Sequence, residues 1–159
     1  MPTPDLHAAL HLAPSDLDAN RGGELSQGQR QRLRRSGLWN VVGAVTVALL
    51  LAAILFAVAE KPLKPVQWGL AGLLAIGTLI TGGVMMRRLR TDAMDGRVDC
   101  VAGPVRVFSQ RRSGYFVEVG GETFRLPVHP GHVRNGARYR VYVTPAARRI
   151  VAMEPDEAG

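Results

Sequence analysis

The sequence predicts a membrane-embedded helical hairpin followed by a small all-β domain, and three observations predict it. Two blocks, residues 38–59 and 66–86, run for 22 and 21 residues without a single charged side chain. The charges gather in the segments around these blocks. Beyond residue 97 the spacing of apolar residues changes from helical to alternating. Averages hide this layout: 159 residues, 47% hydrophobic, with a formal net charge of +7, describe an ordinary basic soluble domain. The length excludes a large multidomain enzyme. The lone cysteine, Cys100, excludes an intrachain disulfide. Basic residues are 18 Arg and 2 Lys, a bias associated with GC-rich bacterial genomes.

Residues 1–24 hold Pro2, Pro4, Pro14 and a Gly pair without a sustained amphipathic period, which predicts a disordered tail with at most a helical turn around Leu6 to Leu12. A helix start is marked at Ser26, because Gln29 stands three residues on, the spacing of a capping box. Residues 25–37 then read as a basic juxtamembrane helix whose Arg30, Arg32, Arg34 and Arg35 can meet anionic headgroups or simply fix topology.

The first block is long enough to cross a hydrocarbon core of ~30 Å, since a helix rises ~1.5 Å per residue. The second qualifies equally. Two helices apolar all round are too much for the short remainder of the chain to bury as soluble core. A second span follows the first, so the first block is read as a retained span and not a cleavable signal. The connector 60–65 carries only Lys61 and Lys64 against Glu60, whereas Arg87, Arg88, Arg90 and Arg97 follow the second block. The positive-inside rule therefore predicts a two-pass protein of the bacterial inner membrane with both termini cytoplasmic. Trp39 and Trp68 open their spans at opposite faces as interfacial anchors. Neither span contains an ionisable group of the kind that transport paths and proton relays need. Small residues at Gly69, Gly72, Gly77, Gly82 and Gly83, with Ala71 and Ala75, predict close helix approach within the hairpin or between copies.

After a basic linker, 87–97, residues 98–155 form the predicted β domain, ahead of an acidic tail, 156–159. Its clearest part is YFVEVGGETFRL, where Gly120 and Gly121 suit a two-residue hairpin turn. Counting outward pairs Val119 with Glu122, Val117 with Phe124 and Tyr115 with Leu126, which puts Tyr115, Val117, Val119, Phe124 and Leu126 on one face. Residues 97–109 alternate with a break at Gly103 and Pro104. Around residue 140, Tyr139, Val141 and Val143 oppose Arg138, Arg140 and Tyr142, and residues 148–155 supply a last strand. About five strands without intervening helix predict a small SH3-like or OB-like barrel.

Arginine dominates the chemistry of this domain. Residues 87–153 hold 13 Arg against 5 acidic residues. Arg106, Arg125, Arg138 and Arg140, with Phe116 and Tyr142 among them, are predicted to share a basic face opposite the apolar one. Such a face can bind phosphates of anionic lipid or nucleotide, or serve as a solvated surface; nucleic acid is the weaker fit so close to a bilayer. Segment 112–119 lacks the small residue and last aromatic of the RNA-recognition strand signature. His129 and His132 share a tight loop and, with Cys100, are the nearest approach to a metal or nucleophile–base site, but no zinc spacing, phosphate loop or cofactor motif accompanies them.

Two segments carry a family resemblance: Leu25 to Leu33, an LSxxQRxRL run, and Tyr139 to Pro155, a YRVYxxPxxxxxxxxEP run. On these the chain resembles a group of uncharacterised bacterial two-span membrane proteins with a short C-terminal β domain. The resemblance implies architecture and no activity. Short NfeD-like proteins, which also append an OB-like domain to membrane helices, are similar in layout, although their glycine-rich barrel motifs are missing. The expected function is non-enzymatic: a membrane anchor or interaction module for a protein partner, for another copy or for the leaflet itself.

Overall fold

A computed structural model describes residues 10, 12–58, 65–110, 114–126, 129, 131 and 133–156. The chain divides into two compact units, residues 1–31 with 92–159, and residues 32–91. Three helices occur among the described residues: α1 (Pro14–Arg21), α2 (Gln27–Val58) and α3 (Pro65–Asp95). Six strands follow: β1 (Asp99–Pro104), β2 (Arg106–Gln110), β3 (Gly114–Val119), β4 (Glu122–Leu126), β5 (Arg138–Val143) and β6 (Ile150–Pro155).

Residues 32–91 form an antiparallel pair of apolar helices. Val41, Ala44 and Ala48 on α2, and Ala71, Ala75, Thr78, Gly82 and Met86 on α3, are partly covered at steps of three and four residues, which places each set on one helix face. Of the glycines in the pair, Gly82 is the most closely approached: an added Cβ would lie 2.9 Å from the Ala44 Cβ. Gly37 lies beside Met86 and Leu89 in the same way, at 3.7 Å. By contrast, Gly69, Gly72, Gly77 and Gly83 have open space where a Cβ would stand. Of the small residues expected to bring helices together, Gly82 does so within the hairpin. The basic segment 25–37 is no separate helix, since α2 runs unbroken from it into the first apolar block, and α3 likewise runs through 87–95.

In the other unit the sheets are β1–β5–β6 and β2–β3–β4, both antiparallel throughout. The expected closed barrel of about five strands is thus not formed among the described residues. The break at Gly103 and Pro104 is the reason: β1 ends there and Val105 carries the chain into the second sheet. There the Val105 and Val107 N–H groups are taken by the Ala137 carbonyl (2.9 Å) and Asn135 Oδ1 (2.9 Å), not by another strand. The two sheets share one core, with Val117, Val119, Phe124 and Leu126 from one and Tyr139, Val141, Val143, Ile150 and Met153 from the other. The β3–β4 register matches the expectation at Val119–Glu122, Val117–Phe124 and Tyr115–Leu126. Gly120 (φ 58°) and Gly121 (φ 80°) take the left-handed turn that glycine tolerates.

The N-terminal segment departs from the predicted tail. Pro14 opens α1, where a missing N–H costs nothing, and Asp16 accepts the Ala13 N–H at 3.1 Å. Asp16, Leu17 and Asn20 are buried, so tertiary packing orders a segment whose composition alone would not. Residues 23–25 then pair with 96–98 through Leu25 N–H to Gly96 O (2.7 Å) and Val98 N–H to Gly23 O (3.0 Å). The expected capping box is present, with Gln29 N–H donating to Ser26 Oγ and Ser26 N–H to Gln29 Oε1, each 3.1 Å. The possible turn at Leu6 to Leu12 falls largely outside the described residues, as do the connector 60–64 and the last three residues of the acidic tail.

Candidate functional site

The arginine-rich face predicted from alternation is divided between the two sheets, and the halves differ in ion pairing. On β1–β5–β6, Arg140 Nε donates to Asp156 Oδ1 at 2.9 Å, and Arg138 Nε lies 3.7 Å from Asp156 Oδ2. Asp156 comes to these arginines because its own N–H donates to the Arg138 carbonyl, extending the β6 edge. Tyr142, expected on an open face, is buried at 2% exposure. Its hydroxyl donates to Glu154 Oε1 at 2.7 Å, and Arg21 from α1 grips both carboxylate oxygens of Glu154 at 3.2 and 2.6 Å. Burial pulls the Glu154 carboxyl upward, but the Arg21 and Tyr142 hydrogen bonds and the Arg21 charge outweigh it and hold the group below its ordinary range. Burial, then the bond to Glu154, pushes the Tyr142 phenol far up, so it stays neutral and a donor. The cations here are ion-paired within the fold.

The outer face of β2–β3–β4 is different. Register places Phe108 across from Phe116 and Phe116 across from Arg125; the neighbouring row is Arg106, Glu118, Thr123. The two phenylalanine rings stack at 5.8 Å with 17° between planes, and Phe108 remains 39% exposed. Arg106 and Arg125 are exposed, and among the described residues no carboxylate forms an ion pair with either. Phe108 was missed by the sequence argument, although it occupies the same alternation as Arg106. At the end of this sheet Arg148, the one described non-glycine residue with positive φ (52°), pairs with Glu122 and Asp99 and lies over the Phe124 ring.

Among the arginines that flank the apolar blocks, Arg34, Arg35, Arg87, Arg88 and Arg90 are exposed, and Arg32 is exposed while engaged in an interaction. Arg30 is turned inward: its Nε donates to the Leu25 carbonyl at 3.1 Å, and its guanidinium packs on Gly96. Trp39 and Trp68 are exposed. Because Gly37 packs beside Met86, Trp39 lies near the residue-86 end of α3, and 18 residues of helix, about 27 Å, separate it from Trp68.

Cys100 is exposed on β1, not packed in the core as a strand cysteine usually is. Partial desolvation of its sulfur pushes the thiol upward, away from the thiolate that a nucleophile requires. His129 sits edge-on to Tyr115 at 5.4 Å and accepts the Gly131 N–H on Nδ1 at 3.1 Å; His132 lies outside the described residues. No group of three His, Cys, Asp or Glu side chains able to hold a metal occurs among the described residues. An open groove of about 660 Å³ runs along the helical pair, lined by Asn40, Ala44, Leu73, Gly77, Thr78 and Gly82 among others. Its Thr78 and Thr81 hydroxyls donate to the Leu74 and Gly77 carbonyls, and Asn40 supplies the other polar side chain of the lining. Comparison with protein-family models, curated proteins and solved structures finds no match.

Proposed function

We propose that the chain is a two-pass membrane protein that holds its β unit at the cytoplasmic membrane surface as a non-enzymatic anchor or interaction module. One observation carries this reading. The apolar windows of α2 and α3 are only 6% and 0% buried, with Leu49 65%, Leu73 71% and Ile80 60% exposed. A core helix of a soluble protein is buried, and a soluble monomer rarely leaves contiguous apolar patches beyond a few hundred Å². A bilayer satisfies such a surface. The antiparallel pairing gathers Arg34, Arg35, Arg87, Arg88 and Arg90 at one end of the helices, which favours both termini on the cytoplasmic side.

The exposed Cys100 gives a direct test. In bacterial cells expressing the chain, it should resist alkaline carbonate extraction, and a membrane-impermeant maleimide should label Cys100 only after permeabilisation. Labelling in intact cells would reverse the topology, and release by carbonate would remove the anchoring. A second reading, a phosphate-binding β unit for lipid headgroups or nucleotide, is favoured by Arg106 and Arg125 standing without ion pairs.

A further inference from the structure

We infer that the outer face of the β2–β3–β4 sheet, built on Phe108, Phe116, Arg106 and Arg125, docks onto a layer of anionic lipid headgroups. The inference rests on the membrane-anchored reading above and names the surface that such an anchor brings into use. Two features single this face out. First, the arginines of the other sheet are ion-paired, Arg138 and Arg140 sharing Asp156 and Arg21 holding Glu154, whereas Arg106 and Arg125 form no ion pair among the described residues, with Glu118 as the acidic side chain in their rows. The field of Arg125 reaches Arg149, whose guanidinium is pushed down by burial and then by that charge. Second, the stacked pair Phe108–Phe116 presents an apolar wedge beside these cations. Aromatic rings flanked by arginine suit the headgroup boundary, where the rings leave water and the guanidinium groups keep phosphate partners.

A nucleotide fits less well. Phenylalanine rings can stack on a base but carry no donors or acceptors to read it, and the open hollow beside Arg106, lined by Gly120, Gly121, Asn135 and Gly136, also has the Glu118 carboxyl in its lining, which disfavours a phosphate there. For an anchored chain, headgroup phosphates are also present at high effective concentration without a diffusional encounter.

The test uses the full chain in lipid nanodiscs, of phosphatidylcholine alone or with about one third phosphatidylglycerol, after carbonate resistance has been established. A Cys100→Ser, Gln110→Cys chain carries a polarity-sensitive fluorophore on the exposed end of β2, and hydrogen exchange over residues 106–118 is followed in the unlabelled chain. In anionic discs at low salt, emission shifts to the blue and exchange slows, and both effects vanish as salt rises from about 50 to about 500 mM, where the screening length falls below ~5 Å. Arg106→Glu and Arg125→Glu each reduce the docked-to-free ratio at least fivefold, at roughly fivefold per basic charge lost, and together abolish docking. Equal emission and exchange in both discs would overturn the inference while leaving the anchor intact. So would a shift that persists in the double reversal, one reproduced by soluble glycerophosphate in phosphatidylcholine discs, or one that requires an added acidic protein in place of anionic lipid. Failure of carbonate resistance would sink the anchored reading and this inference together.

Discussion

Replacing Gly82 by alanine tests the helical hairpin at its tightest point. The added Cβ would stand 2.9 Å from the Ala44 Cβ and 3.6 Å from the Asn40 carbonyl oxygen. Carbon atoms pack at about 3.5–4.0 Å, so α2 and α3 must part locally by roughly 0.6–1 Å. Neither obstacle is a flexible side-chain end, because Ala44 Cβ is fixed to the backbone. Overpacking of this kind costs about 1–3 kcal/mol. Gly83→Ala is the control: nothing lies within 4 Å of its Cβ position, and alanine gains up to ~1 kcal/mol of helix propensity. Both substitutions gain that propensity, so the pair should differ by the clash alone, about 1–3 kcal/mol, with Gly82→Ala the less stable. Ala44→Gly combined with Gly82→Ala restores the space and should recover most of the clash, leaving the ordinary propensity cost of the new glycine. The assay is unfolding of the reconstituted chain in mixed micelles by rising SDS, followed by fluorescence transfer between labels at the two ends of the hairpin. Equal stability of the two alanine variants, or no recovery in the double variant, would refute the packing.

Other expectations concern the β unit. Glu154 is held below its usual value, so its contribution is complete above the unfolded glutamate pKa of ~4.3 and is lost as pH falls through the lower folded value; Glu154→Gln should flatten the acid limb of a thermal melt and lower stability near neutrality by about 1–3 kcal/mol. Asp92 accepts the N–H groups of Ala146 and Ala147, each at 2.8 Å. In Asp92→Asn one of those donors meets an NH₂ group instead, so about 1–3 kcal/mol is lost and exchange at Ala146 or Ala147 accelerates; unchanged exchange would contradict the contact. Asn20 is 1% exposed, and neither amide atom has a hydrogen-bond partner among the described residues. Asn20→Leu, similar in shape and without polar atoms, should raise the melting temperature by several degrees for a gain of about 1 kcal/mol; a fall would show that the amide is satisfied.

What could be read in the sequence was local, and what could not was carried by contacts between distant segments. The Gly120–Gly121 pair sets the β3–β4 register because a two-residue turn leaves one way to count outward, and Ser26 with Gln29 caps α2 by reaching three residues. The break at Gly103 and Pro104 was equally visible. Its outcome was not, since whether the chain continues one sheet or crosses to another depends on Asn135 and Ala137, some thirty residues on, taking the N–H groups of Val107 and Val105. Tyr142 shows the same limit: alternation puts it opposite Val141 and Val143, and so it is. Its hydroxyl is held by Glu154, which is in turn gripped by Arg21, 133 residues away in a segment whose composition reads as tail. The basic face was legible as a pattern and overcounted as a charge. Alternation shows which side an arginine takes but cannot show which carboxylate will reach it; Asp156 reaches Arg138 and Arg140, whereas Arg106 and Arg125 stay without an ion pair. A charge count therefore bounds the positive surface from above, and tertiary pairing decides which part of it remains for a partner.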